Sequence, residues 1–305
     1  MTHPVLAMTG ATGFVGKATL RQATEAGWLV RALTRRPQPA IEGVTWIAGA
    51  LDRPEALAEM AAGSDIVLHV AGVVNVPTRA DFEAGNIVAT ANVVDAARHA
   101  GVPRFVHVSS LAAREPDLSN YGWSKAGAES VVSASGLDWT IVRPPAVFGP
   151  GDTEMLDMFR MAQRGIALVP PGRLSAIYVE ELARLLVALA TDREDSVGQI
   201  YEPDDGRDGG WTHRGFAQAI GKAVGRPNVR ALPIPAPLLR AGGQIDTLVR
   251  RNSAKLTIDR ARYIAHPDWV VTAGAHPPAH LWRPTLDTEA ALAETVRWYR
   301  ERGWL

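Results

Sequence analysis

Cysteine is missing altogether from this 305-residue chain. Disulfide staples, thiolate metal centres and a cysteine nucleophile are excluded with it. An excess of either charge is missing too. The 32 Lys and Arg balance 32 Asp and Glu, so no global field draws the chain to nucleic acid or to anionic lipid. Long apolar runs are also absent. The best, "ELARLLVALAT" at 181–191, carries Glu181 and Arg184 and falls short of the ~20 residues that cross a bilayer. The opening "MTHPVLAMTGATG" lacks the charged start and apolar core of a signal peptide. These absences predict a cytoplasmic protein without a transmembrane segment. The eight histidines are scattered, and "HPPAH" at 276–280 sits in a proline-rich loop. His276 and His280 therefore read as surface residues, and no metal site is expected.

What is present is an apolar share of 47% against 21% charged, enough for one large or two smaller domains. Short apolar runs at 5–9, 29–33, 44–48, 65–70, 104–110 and 139–144 read as strands. Helical patterns at about 14–26, 54–62, 83–100 and 120–135 lie between them. Strand and helix alternating at this pitch predict a Rossmann-type, doubly wound α/β fold, a parallel sheet covered on both faces. The pattern changes after "GPGD" at 149–152. Residues 1–148 are expected to form the dinucleotide-binding domain. Residues 149–305 are expected to form mainly a smaller, interleaved substrate-binding region. Segments around 174–202 would return to the sheet or make a small second one.

In "MTGATGFVGKATL", Gly10, Gly13 and Gly16 follow the first strand and open the first helix. Such a turn lets backbone N–H groups approach a pyrophosphate, with the helix dipole favouring its charge. Glycine punctuates many turns, but this strand-to-helix context points to nucleotide binding. At the end of the second strand an NAD-selective protein places an acid for the adenine ribose. Here "VRALTRRP" offers Thr34 followed by Arg35 and Arg36. A guanidinium pairs with a 2′-phosphate where a carboxylate repels it. The alternative is that both arginines are solvated loop cations. The position favours NADP(H), with NAD(H) as the second choice.

The stretch "SNYGWSK" at 119–125 sets Tyr121 and Lys125 four positions apart, one above the other on a helix. Spacing alone leaves open whether they are a proton donor and its activator or simple neighbours. Other stretches bear on the choice. "TGATGFVG" (9–16), "HVAG" (69–72), "GNIVATANVVDAA" (85–97), "RFVHVSS" (104–110), "YGWSK" (121–125) and "RPPAVFGPGD" (143–152) occur in that order. The chain so resembles the extended and related atypical short-chain dehydrogenases/reductases, the group of NAD-dependent epimerases and dehydratases. The resemblance runs over about 200 residues, and "YVEELARLL" and "TVRWYRERGW" continue it.

That resemblance implies a catalytic triad of Ser110, Tyr121 and Lys125. The Lys125 ammonium would lower the pKa of Tyr121 and hold the nicotinamide ribose. Ser110 would orient the substrate oxygen, and Tyr121 would exchange the proton. Ser109 is expected to line the cofactor cleft. Around the dinucleotide it implies Gly10, Thr12, Gly13, Phe14, Val15 and Gly16 of the turn, with Arg35 and Arg36. Leu51, Ala71, Gly72, Pro144 and Val147 follow at later strand ends. Asn86 matches an asparagine that helps order the site; a helix N-cap is the other reading. Many members dimerise through helices flanking the site, so a homodimer is the implied assembly.

Two departures matter. Members often carry Gly-Asp-Leu after the third strand, but "AGALD" has Ala50 there, leaving the adenine contact to backbone and Asp52. Members acting on sugar nucleotides often carry an asparagine where "RPPA" has Ala146. Alanine makes no such hydrogen bond. The form resembles members that interconvert apolar ketones and alcohols. The leading expectation is thus an NADP-dependent oxidoreductase acting on a bulky, apolar small molecule, with sphingoid, ceramide-like or steroid-like lipids in view. A sugar-nucleotide epimerase or dehydratase and a non-catalytic NADP(H)-binding subunit are the alternatives. The run "LPIPAPLLRAGGQIDTLVRR" at 232–251 fits an ordinary packing helix, a lid, or a segment resting on a membrane surface.

Overall fold

Strand β1 (Val5–Thr9) is apolar and buried beyond its first residue, as expected for a central strand covered on both faces. In the computed structural model, which describes residues 3–250 and 256–305, it leads into α1 (Phe14–Glu25), β2 (Leu29–Thr34) and β3 (Val44–Ala48). Next come α2 (Pro54–Ala61) and β4 (Ile66–His69). One continuous helix then runs from α3 (Arg79–Phe82) through a π-helical turn at Glu83–Val88 into α4 (Ala89–His99). It is followed by β5 (Arg104–Val108), α5 (Asn120–Ser133), β6 (Asp138–Val142) and β7 (Ala146–Phe148).

The later chain holds α6 (Leu156–Gln163), β8 (Ile166–Val169), β9 (Arg173–Leu174), β10 (Ala176–Tyr178) and α7 (Val179–Thr191). It continues with β11 (Gln199–Tyr201), β12 (Trp211–Thr212), α8 (His213–Ala223), β13 (Arg230–Pro233) and α9 (Ala236–Arg250). It ends with α10 (Ile258–Ile264), β14 (Asp268–Trp269) and α11 (Thr288–Glu301).

Seven strands form the central sheet in the order β3-β2-β1-β4-β5-β6-β11, all parallel. Period-two alternation decides which helices each strand meets. Ile66 and Leu68 of β4 join the core under α1 and α7, where Leu182, Leu185, Leu186 and Leu189 are wholly buried. Val67 faces the opposite core with Leu57, Val93 and Phe105. Each such leucine contributes about 2 kcal/mol by leaving water. Of the two expected returning segments, Gln199–Tyr201 joins the sheet edge beside β6. Ala176–Tyr178 instead pairs with β7 in a separate two-stranded piece. Pro144 and Pro145 stop β6, so the chain leaves the main sheet before β7 forms.

Arg104 is buried completely. Its guanidinium donates to the carbonyls of Asp138 and Leu189 and to the Ser196 hydroxyl, at 2.8–2.9 Å. The Leu189 carbonyl lies at the end of α7, where the helix dipole is negative. The cation thereby ties α7 to β5 and β6. Burial still lowers its pKa to about 10. Among the described residues, no helix is long and apolar enough to cross a membrane. Of the 232–251 run, Arg251 lies outside the described residues.

Candidate active site

In a parallel sheet every strand ends at the same edge, and the order reverses between β1 and β4, where this class of sheet opens a crevice. The glycine turn sits there. Gly10 has φ +74°, and a Cβ on it would lie 2.6 Å from the Ala71 nitrogen. A Cβ on Gly16 would lie 1.9 Å from the Gly10 carbonyl oxygen. Both approaches need bare backbone. Gly13 is the N-cap of α1, so no side chain caps the helix, and no acid lies in its first turn. The helix thus presents uncommitted N–H donors and its positive end to the crevice. These features fit a pyrophosphate.

The remaining expected cofactor residues lie along this edge. Thr12 and Gly13 are exposed on the turn, and Phe14 and Val15 are half-buried behind it. Thr34 ends β2; its hydroxyl donates to the Arg36 carbonyl at 2.7 Å and is consumed in the turn. Arg35 and Arg36 beyond it are exposed. Leu51 follows β3, its carbonyl held at 2.9 Å by the Asn92 side-chain amide. Asp52 is exposed beside Arg53, at 4.0 Å. Ala71 and Gly72 follow β4, with the Ala71 amide donating to the Thr9 hydroxyl at 3.3 Å. Pro144 accepts the Leu111 amide at 3.0 Å. Val147 lies in β7, half-buried between two cores.

Ser110, Tyr121 and Lys125 come together beside this crevice. Ser110 leaves β5 and caps a short 3-10 turn, accepting the Ala112 amide at 3.2 Å. Ser119 caps α5, and one turn of that helix separates Tyr121 from Lys125. The Ser110 hydroxyl stands close enough to the Tyr121 phenol to pull its pKa down. The Lys125 ammonium is buried and donates to the Val108 carbonyl at 2.9 Å. A Cβ built on Gly72 would lie 3.6 Å from that nitrogen, so the lysine reaches the cofactor edge. Burial lowers Lys125 to about 8, with Glu129 opposing. The expected depression of Tyr121 is not found. Burial raises its pKa, and the neighbouring Ser110 hydroxyl only partly offsets that. The physical reason is that the phenol has lost water, and Lys125, whose ammonium bonds the Val108 carbonyl, does not offset the loss.

Asn86 is not an N-cap. It lies inside the π-helical turn at Glu83–Val88, a device that re-aims one side chain. Its amide oxygen accepts from the Val73 N–H at 2.8 Å, and its nitrogen donates to the Val73 carbonyl and the Ser124 hydroxyl. It so clamps the chain after Gly72 onto α5.

Ser109 is buried, and its hydroxyl donates to Glu129. Glu129 also takes two hydrogen bonds from Arg143, at 2.9 and 2.6 Å. Arg143 reaches Glu202 at 3.4 Å, and Glu202 accepts the Thr272 amide at 2.7 Å. This chain of charges ties β5, α5 and β6 to a loop far along the sequence. Its members were not singled out from the sequence, because nothing local marks them.

The cover over Tyr121 was missed as well. Tyr263 on α10 meets the Tyr121 ring edge-on, and Phe82 lies 6.2 Å away on another side. Asp259 of α10 accepts the Asn120 amide at 2.8 Å, and Arg260 pairs with Glu154 at 2.7 Å. Helix α10 is thus fastened over the start of α5, and α9 packs on α10. The two "HPPAH" histidines sit elsewhere, His276 on Asp204 at 3.0 Å and His280 on Asp195 at 2.7 Å.

The sheet order, bare-backbone turn and uncapped helix end together define a dinucleotide-binding Rossmann protein. Comparison with known proteins narrows this. Residues 10–193 match a family model described as NAD(P)H-binding. A ceramide reductase of Caulobacter vibrioides (strain NA1000 / CB15N) is 38% identical over 99% of this chain and 96% of its own. A 4-hydroxy-2-methyl-3-oxo-4-farnesyl-3,4-dihydroquinoline-1-oxide ketoreductase of Stigmatella aurantiaca is 33% identical over 49% of this chain and 52% of its own. The solved structure of MoeE5 in complex with UDP-glucose and NAD superposes with TM-score 0.72 at 21% identity, covering 98% of this chain and 99% of that one, a likeness of fold. The chain belongs to the NAD(P)H-binding, extended short-chain dehydrogenase/reductase family and is an NAD(P)-dependent oxidoreductase of CH–OH and C=O groups.

Proposed function

We propose that the protein is an NADP(H)-preferring carbonyl reductase of a bulky, lipid-like ketone, with Ser110, Tyr121 and Lys125 as its catalytic residues. The observation that carries the reading is the Tyr121 phenol, set beside Ser110 and packed against Phe82 and Tyr263. A polar pair inside an aromatic wall suits a carbonyl on an apolar body. The similarity to a ceramide reductase and a ketoreductase of a farnesylated ring supports the substrate class. Ala146, in the place of a polar residue common among sugar-nucleotide members, supports it too.

When bound, the dinucleotide supplies hydride to the carbonyl carbon. The protein's own part is binding and the proton. The α1 N-terminus and glycine turn hold the pyrophosphate, Arg35 and Arg36 the 2′-phosphate, and Lys125 the ribose beside Gly72. Ser110 and Tyr121 donate hydrogen bonds to the ketone oxygen, and the Tyr121 proton moves to it as the alcohol forms. The division at residues 148/149 into nucleotide and substrate parts goes with this reading.

Single-turnover oxidation of NADPH by a long-chain ketone, with thermal melts as the folding control, tests the assignment. Tyr121→Phe should abolish turnover with NADPH affinity kept. Ser110→Ala should slow it by ~10²–10³. Lys125→Ala should damage both turnover and binding. A folded Tyr121→Phe protein that turns over normally overturns the assignment.

A further inference from the structure

Strands β8 and β13 form a two-stranded parallel ribbon with Leu168 opposite Leu232. One face is core: Ala167 and Val169 pack with Phe159, Ala217 and Ile220. The other face is bare. Ile166, Leu168 and Leu232 are 44%, 45% and 47% exposed, and Leu238 at the start of α9 is 62% exposed. Pro233, Pro235 and Pro237 between them are exposed too. Single exposed leucines are ordinary, whereas a contiguous group on one ribbon face marks an interaction surface.

Its surroundings say what it meets. Residues 226–239, which carry Leu232 and Leu238, hold two Arg and no Asp, Glu or Lys, in a chain whose net charge is zero. Arg164, Arg226 and Arg230 are exposed, and Arg230 stands opposite Ile166 in the ribbon register. Apolar side chains flanked by these three arginines fit the interface of an anionic bilayer, where the leucines enter the acyl boundary and the guanidinium groups stay among headgroups. The attraction of such cations to the surface is screened by salt. We propose that the Ile166–Leu168–Leu232–Leu238 patch docks the protein on anionic membrane surfaces. The patch is joined to the candidate site through α9, which packs on the α10 helix that carries Tyr263. Docking does not depend on which ketone is reduced.

The test is sedimentation of the full chain, loaded with NADPH, with vesicles of phosphatidylcholine alone or mixed with phosphatidylglycerol. Binding to the mixed vesicles should exceed that to the neutral ones by about tenfold or more, and added salt should remove the difference. Leu168→Asp with Leu232→Asp should abolish binding while leaving turnover of a short, water-soluble ketone unchanged. Leu238→Gln, a milder change at a more exposed position, should weaken binding about threefold to tenfold and serves if the double variant does not fold. Wild-type protein that stays in the supernatant with both vesicles overturns the proposal, as does unaltered binding by folded variants. A wild-type dimer in lipid-free buffer that Leu238→Gln dissociates also overturns it, because the patch is then a self-interface.

Discussion

The ring of Tyr263 stands edge-on to that of Tyr121, centroids 6.4 Å apart at 84°. Residues 142 positions apart thus share one apolar enclosure. Tyr263 itself packs against Trp269, centroids 4.6 Å apart at a tilt of 37°. Aromatic pairs of this kind contribute about 0.5–1.5 kcal/mol beyond burial.

Removing the ring should therefore harm recognition more than chemistry. Tyr263→Ala is expected to raise KM for a bulky ketone about tenfold while a small ketone is barely affected. Tyr263→Phe should behave as wild type, since the ring remains. Steady-state kinetics with the two ketones separate these outcomes. Equal losses for both ketones in Tyr263→Phe would instead make the Tyr263 hydroxyl part of the chemistry.

The proposed preference for NADPH rests on the end of β2. Arg35→Ala combined with Arg36→Ala should bring NADPH affinity down to that of NADH. Charged hydrogen bonds of this type contribute about 1.5–3 kcal/mol each. Fluorescence titration with both nucleotides measures the change. A wild-type protein that binds NADH as well as NADPH contradicts the preference.

The crevice depends on bare backbone at Gly16. Gly16→Ala sets a methyl 1.9 Å from the Gly10 carbonyl oxygen, and backbone cannot yield as a flexible side chain would. The variant should lose about 1–3 kcal/mol of stability and most of the stabilisation that NADPH confers. Melting curves with and without nucleotide report both.

Acid should unfold the protein earlier than its surface charges suggest. His69 and His107 are buried and stacked at 5.2 Å. Burial, with Lys125 nearby, lowers His69 to about 3 and His107 well below its ordinary value. Unfolded, both take a proton near pH ~6.5. Their depressed folded values mean that the stability is present above that pH and lost as pH falls. Each histidine costs about 1.4 kcal/mol per pH unit in that window. His107→Leu should remove that residue's share of the slope without loss at neutral pH, because neither ring nitrogen of His107 has a partner among the described residues. Denaturant titrations at pH 7.5 and ~5 decide it.

Local patterns were legible in the sequence, and distant contacts were not. The turn at Gly10–Gly16 and the Tyr121–Lys125 spacing are each carried by a handful of neighbours, and strand and helix periods differ enough to read directly. The π-helical turn around Asn86 leaves no such mark, since its residues suit an ordinary helix. The hydrogen bond of Ser109 leaves no mark either. Its orientation is decided by Glu129 and Arg143, which the fold supplies from α5 and the end of β6. Tyr263 and Thr272 reach the site from the far end of the chain, and only the tertiary structure brings them there. Ala176–Tyr178 read correctly as strand, but its partner β7 follows a proline turn that sequence patterning does not orient.

The charge chain from Glu129 through Arg143 to Glu202 and Thr272 has a consequence for the order of synthesis. Six of the seven central strands are made by residue 142, the last by 201, whereas Tyr263 and Thr272 come much later. At 5–20 residues per second, roughly ten seconds separate the end of β6 from these groups. A nascent chain therefore completes its glycine turn and crevice well before it encloses Tyr121. Nucleotide capture and reductive competence are acquired at different times, the first able to steady the young domain while the second still waits on the ribosome.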